Sequence, residues 1–456
     1  MPSDKQLTPD ATSYTPADGG AIEDPRAIIA REPMGRAQFV AVAVCVALTA
    51  LDGFDVLSIS FASPGIAAEW GIDRAMLGIV LSMELIGMSA GSIFVGSLAD
   101  RVGRRPIALG CLVVMAIGMG LATTARDVTQ LSAFRLFTGI GIGGLLAAGN
   151  AMAAEFANAR RRNLAVALMA AGYPLGAIVG GTIASRLLAA GSWRSVFAFG
   201  ALVSAAFVPL VWFLVPETIA YLAHRRPANV LERVNGVLRR LGHATVSALP
   251  APSTDVPRAR LAQLFAPDLA RTTVLLTVGY FAHIVTFYFI LKWIPKIVVD
   301  MGFAPSTAGS VLVWANVGGL TGALIFSLLT QRAGLRRLLI GALVLSAVMV
   351  AVFGRGQADL RQLALVAAIA GMCTNAAVVG FYAMLAQSFP TAVRAGGTGF
   401  VIGVGRGGAA LGPILAGFLF KNGATLQTVA LTMALGSVVA VVALVLLRYR
   451  EQHVAA

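Results

Sequence analysis

The sequence predicts an all-α polytopic membrane protein, with twelve membrane-spanning helices in two pseudo-symmetric six-helix bundles. Three observations carry that expectation. Of 456 residues, 57% are apolar and only 12% charged, against roughly 45–50% and 25% in soluble domains. Apolar windows bounded by charges recur twelve times, each near the roughly 20 residues that cross a bilayer. The longest gap between windows follows the sixth, so the chain divides six and six.

Residues 1–36 are rich in Pro, Ala and Asp and lack an apolar run, so they read as a flexible cytoplasmic tail without a cleavable leader. The first bundle takes residues 37–215, with spans near 37–60, 76–98, 107–125, 131–154, 163–185 and 194–215. A cytoplasmic middle loop covers 216–271. Within it Val230, Leu231, Val234, Val237, Leu238 and Leu241 recur at helical spacing among Arg233, Arg239 and Arg240, as in a helix lying on the inner membrane face. The second bundle takes 272–447, with spans near 272–294, 307–329, 337–353, 361–386, 396–419 and 425–447, and residues 448–456 form a second cytoplasmic tail.

A net charge of +14 would suggest nucleic acid in a soluble protein, but its distribution points elsewhere. With the N-terminus inside, 24 of the 35 Lys and Arg fall on the inner side and 9, Lys292 and Lys296 among them, on the outer side; Arg135 and Arg406 lie within spans. Lys and Arg accumulate on the cytoplasmic side of membrane proteins, so both termini are expected there, in a multi-pass protein of the inner (plasma) membrane. No nucleic-acid surface is expected. Cys45, Cys111 and Cys373 stand far apart in apolar stretches, which excludes a disulfide framework or a metal cage; no cofactor is expected.

The halves repeat weakly. Gly96-Ser-Leu-Ala-Asp100-Arg101-Val-Gly103-Arg104-Arg105 after the second span corresponds to Ser327-Leu-Leu-Thr-Gln331-Arg332-Ala-Gly334-Leu335-Arg336 after the eighth. Phe156 to Arg161 corresponds likewise to Phe389 to Arg394. Parallel repeats with a site between them are a transporter layout. The first stretch resembles the loop signature of the major facilitator superfamily. Arg135-Leu-Phe-Thr-Gly139-Ile-Gly141 is similar to that family's Arg-xxx-Gly-x-Gly motif in the fourth helix. Asp52-Gly53-Phe54-Asp55 resembles the Asp-Gly-x-Asp signature of its aromatic acid:proton symporters, with further agreement at Arg394-Ala-Gly-Gly397 and Gly405-Arg406. The resemblance covers about residues 37–447 and implies alternating access, an aromatic carboxylate and protons as cargo, and a monomer in the lipid bilayer. Gln331 replaces the loop's acid in the second copy, which removes the carboxylate of a charge latch there.

Asp52 and Asp55 share one helix face. Asp52 falls about 22 Å along a span begun at Ala37, beyond the midplane toward the outside. Charges inside a bilayer cost at least roughly 2.5–3.5 kcal/mol each, and neighbouring carboxylates do not both ionise easily. A carboxyl that keeps its proton near neutrality suits a proton carrier; a helix-end pair facing external water is the other reading. Arg406, ten residues into its span, can grip a carboxylate with two parallel hydrogen bonds, or else serve as a permanent partner of Glu84 or another buried acid. The repeat places Tyr173 opposite Arg406, so both are candidates to line the cavity.

Arg135 reads either as part of the binding and proton-linked machinery or as a snorkelling interfacial arginine. Glu84 is a second protonation candidate or a structural hydrogen-bonding group. His283 is a third, since histidine titrates near pH 6.5, or simply a satisfied core residue. Tyr288 could stack on an aromatic ring and offer a hydroxyl. Gly96, Asp100, Arg101, Gly103, Arg104 and Arg105 form a candidate latch that holds the bundles together when the outside is open. Gly172-xxx-Gly176-xxx-Gly180 and Gly87-xxx-Gly91 leave helix faces bare for close, sliding contacts. No ATP-binding loop and no His-Glu-xx-His occurs, so an enzyme is not expected. A transporter of another class (sugar or other organic acid importer, or drug exporter) stays open, since Pro216-Glu217-Thr218 also resembles sugar porters.

Overall fold

The computed structural model describes residues 23–250, 261–390 and 393–447. The chain builds α1 (Pro25–Arg31), then the spans α2 (Arg36–Trp70), α3 (Arg74–Val102), α4 (Arg104–Ala122), α5 (Val128–Phe156), α6 (Arg162–Ala190) and α7 (Arg194–Leu214). Two short helices follow, α8 (Ile219–Arg225) and α9 (Val230–Leu241). The second half holds α10 (Ala270–Asp300), α11 (Pro305–Leu329), α12 (Leu335–Gly354), α13 (Leu360–Ser388), α14 (Arg394–Lys421) and α15 (Leu426–Leu446). Twelve of these are long and apolar enough to cross a membrane. With an even number of spans, α2 begins and α15 ends on one face, here the ends face; the opposite is the far face. Four of the six spans that start at the far face carry side-chain caps: Asp73, Asp127, Asp359 and Thr425 accept from backbone amides of the first turn. Such caps occupy amides that a helix start leaves unpaired.

Two elements depart from expectation. α2 runs ten residues past the expected end at 60, to Trp70. The serines that interrupt the apolar run there are buried, and the hydroxyls of Ser58 and Ser63 bond back to the carbonyls of Asp55 (2.6 Å) and Ser60 (2.8 Å). They therefore cost the helix little, and Phe61, Ala62 and Ile66 carry it on between the halves. α10 likewise continues to Asp300 rather than ending near 294.

Inside the segment expected to be flexible, Asp24 caps α1, whose Ile28 and Ile29 are buried. Asn158 and Ala159, between α5 and α6, bond to the carbonyls of Glu32 and Ala30 (3.0 and 2.9 Å). Residues 1–22 and 448–456 lie outside the described residues. The amphipathic helix of the middle loop exists as α9, but Val234, Leu238 and Leu241 are buried against the protein's own ends face. His243 follows it, 2.6 Å from Glu32 and 2.8 Å from Gln38.

The halves meet where α3 packs on α14, α6 on α11 and α2 on α10. At the far face they are closed: Arg74 pairs with Asp300 (3.1 Å), Lys421 with Asp73 (2.9 Å), and Ser82 donates to the Ala410 carbonyl (2.7 Å). Toward the ends face they part around a cavity of about 1020 Å³ between α3, α5, α13 and α14.

Candidate functional site

Ser89, Ser92, Asn150, Arg394, Thr398 and Arg406 are the polar residues lining this cavity. Arg406 lies midway along α14, roughly 18 Å from its start at the rise of a helix. Among the described residues it has neither an ion pair nor a hydrogen bond. Glu84 is not its partner, because Glu84 is taken by Arg135 and Lys292. A cation left free at the wall of a deep cavity is poised to take an anion.

Across from it, Asp52 is 2% exposed and its Oδ1 has no hydrogen-bond partner. Because α2 extends to Trp70, Asp52 sits at the middle of its helix, not beyond the midplane, and the helix-end reading fails. Asp52 lies in electrostatic range of Arg406, Asp55 and Glu84. Asp55 is fully buried one turn further on, where Ser204 donates to its Oδ2 (3.4 Å) and its Oδ1 is unpartnered.

The glycines of both motifs place these groups. A Cβ on Gly53 would run into the backbone carbonyl of Tyr173, so only glycine lets α6 cross α2 beside Asp52. Gly172, Gly176 and Gly180 extend the same crossing along Val46, Ala50 and Phe54. A Cβ on Gly139 would collide with the Glu84 carbonyl, so α5 presses onto α3 and delivers Arg135, one turn earlier, to the Glu84 carboxylate.

Arg135 neither snorkels nor lines the cavity. It is fully buried, 2.5 Å from Glu84, donates to the Asp55 carbonyl (2.9 Å), and lies over the Phe197 ring at 5.2 Å. His283 is in the second half and does not line the cavity. Its Nε2 faces the Thr374 carbonyl and its Nδ1 the Ser437 hydroxyl, both at 3.0 Å, so a neutral ring with the proton on Nε2 satisfies both contacts. This is the satisfied core histidine, not a member of the acid cluster.

Tyr173 and Tyr288 approach each other with their hydroxyls, and Tyr288 is in electrostatic range of Arg406. Two further phenols, missed from the sequence, lie close to Arg406 and Tyr288. Tyr280 packs its ring on Gly405 and lies 3.4 Å, hydroxyl to hydroxyl, from Tyr382. Four of the seven tyrosines thus gather near Arg406. Tyr280 lies two turns before Tyr288 on one helix face, but nothing in the spacing signals its meeting with Tyr382 on another helix.

Lys292 is the larger omission. Counted with the outer loops, it is fully buried in α10, donates to the Val56 carbonyl and lies 3.5 Å from Glu84. The apolar Trp293, Ile294, Ile297 and Val298 that follow it were the available signal. Three acids (Asp52, Asp55, Glu84) thereby face three bases (Arg135, Lys292, Arg406).

Among the described residues, the candidate latch residues bond within the first bundle and to the start of the middle loop. Asp100 pairs with Arg104 (3.3 Å), which also reaches Glu155 (3.1 Å). Tyr221 donates to the Arg101 carbonyl, and Arg105 to that of Trp212. Gly103 has φ +121 and a Cβ there would strike Glu217, which accepts from the Arg104 and Arg105 amides. Burial pushes the Glu217 carboxyl up, and those amides offset it only in part. Gly96 is a tight α3–α5 contact against Ala147.

Sequence comparison matches residues 45–295 and 276–456 to the Major Facilitator Superfamily. The chain belongs to that family. Members are transporters, not enzymes, and this one is a multi-pass membrane protein. The 4-hydroxybenzoate transporter PcaK of Acinetobacter baylyi is 30% identical over 407 residues, 88% of each chain. The gallate transporter of Pseudomonas putida is 28% identical over 400 residues, 87% of this chain and 88% of its own. In fold, the chain is similar to the xylose transporter XylE from E. coli in a partially occluded inward-open conformation, with a TM-score of 0.68, 18% identity, and coverage of 89% of this chain and 96% of that one.

Proposed function

We propose that this superfamily member imports an aromatic monocarboxylate together with a proton, by alternating access across the inner membrane. The observation that carries the proposal is the unpaired Arg406 guanidinium at the wall of the cavity, with Asp52 across from it and phenols around it. Arg406 holds the carboxylate; Tyr173 and Tyr288 flank the ring; Asp52, with Asp55 behind it, carries the proton. The 4-hydroxybenzoate and gallate transporters among the relatives support the same substrate class.

The excess of Lys and Arg on the ends face supports a cytoplasmic assignment of that face, with the cavity open inward. One chain holds both walls of the site and works as a monomer. Asp100 and its arginines act as the latch on this face, engaged when the protein opens outward.

Removing Arg406 strips the substrate anion of a charge-assisted hydrogen bond worth about 1.5–3 kcal/mol, or roughly 10- to 150-fold in affinity. Binding of 4-hydroxybenzoate to purified Arg406→Ala checks this, and Arg406→Lys should recover only part of the loss because a point charge lacks the two-pronged grip. Parent-like affinity in Arg406→Ala would make Arg406 a structural residue.

A further inference from the structure

Among the described residues, three ion pairs join the halves. Arg74–Asp300 and Asp73–Lys421 are exposed, with side-chain exposures of 44% and 29%, and 49% and 52%. The third, Lys292–Glu84, has both side chains at 0%. Lys292 belongs to α10 of the second half, and both its partners, Val56 on α2 and Glu84 on α3, belong to the first.

The two kinds of link open at different cost. Exposed pairs exchange one another for water and contribute about 0–1 kcal/mol. A buried ammonium that leaves its carboxylate and carbonyl gives up contacts made out of water, and breaking a buried pair is expensive until water reaches the freed charge. Glu84 is insured against that loss, since Arg135 stays beside it in the same half at 2.5 Å. Lys292 is not: both its polar partners lie across the interface that must part.

We propose that Lys292 is the tether that sets the balance between the two openings of the transporter, its charge holding the halves closed at the far face until it is released from Glu84 and Val56. The inference rests on the halves moving against each other, as in alternating access, and not on the identity of the cargo. Lys292 is a positioning residue here, since it does not line the cavity.

The test is a distance measurement by pulsed electron resonance on ligand-free protein, with spin labels on Thr124→Cys and Gln427→Cys. Both sites are exposed at the far face, one on each half, and the three native cysteines are buried. Parent protein should show mainly the short distance. Lys292→Met leaves Glu84 paired with Arg135 and should raise the ratio of long to short distances on the order of tenfold or more. Lys292→Arg should stay near the parent. Lys292→Gln, equally uncharged, should match the methionine variant and serves in its place if that one is not recovered. An unchanged distribution in the uncharged variants would overturn the tether, as would an equal shift in Lys292→Arg, which would make the effect one of packing. Failure of aromatic-acid binding, measured separately, leaves the tether standing, because no ligand is present in this experiment.

Discussion

The two ends of the interface between the halves use the same residue types in opposite ways. At the far end, acids and bases pair across the halves: Arg74 with Asp300, Asp73 with Lys421, Glu84 with Lys292. At the ends face, Asp100, Arg104 and Glu155 pair within one half and leave the cavity open beside them. A charged residue at such an interface is read by which half its partner belongs to. Partners across the interface hold an end shut. Partners within one half keep the same charges satisfied while that end stands open.

The sharpest break of this contrast is at the ends face. Asp100→Lys should leave folded protein in the membrane yet nearly abolish transport, although Asp100 is 73% exposed and makes no cross-half pair in this state. The proposed latch gives it a cross-half role in the state that opens outward. Normal uptake at equal expression would remove the latch from the mechanism.

A smaller effect, on stability, is expected at the buried end. Glu84→Gln leaves Arg135 and Lys292 buried without their shared anion, and breaking a buried pair costs about 3–5 kcal/mol. Thermal unfolding of the detergent-purified variant should fall well below the parent, and adding Lys292→Met should restore part of the loss. A parent-like melting temperature in the single variant would show that the cluster does not depend on that charge.

The smallest change is expected at the exposed far pairs. Removing both cations, Arg74→Ala with Lys421→Ala, should shift the balance of openings by at most about 1 kcal/mol for each pair and keep uptake within a few-fold. A loss of uptake as large as that of Asp100→Lys would mean that the far face is held at its rim rather than in its buried layer.

The twelve spans were legible because long apolar runs have few alternatives in a bilayer. Site depth was less legible. Ser58, Ser60, Ser63 and Pro64 lower the apolarity of α2 just where it is most buried between the halves, so the expected end fell ten residues short and Asp52 was set too near the outside. Lys292 was misplaced for a related reason: a lysine near the end of an apolar run looks interfacial unless the helix is known to continue to Asp300. Sequence spacing could bring Tyr173 toward Arg406 through the repeat, but not Tyr280 and Tyr382, whose meeting depends on how α13 packs on α10. Nor could it separate Arg135 from the cavity, because the Gly139 crossing that buries it against Glu84 exists only once α3 and α5 are packed.

Division of labour between Asp52 and Arg406 is tested most directly in proteoliposomes with an imposed pH gradient, acid outside, following labelled 4-hydroxybenzoate. The parent should concentrate the acid above its external level and lose that ability when the gradient is collapsed. Asp52→Asn keeps the volume of the carboxyl but cannot gain or release a proton. It should exchange labelled for unlabelled acid while accumulating none. If Asp52→Asn still concentrates the acid against its gradient, the proton does not travel through Asp52 and the proposed coupling is wrong.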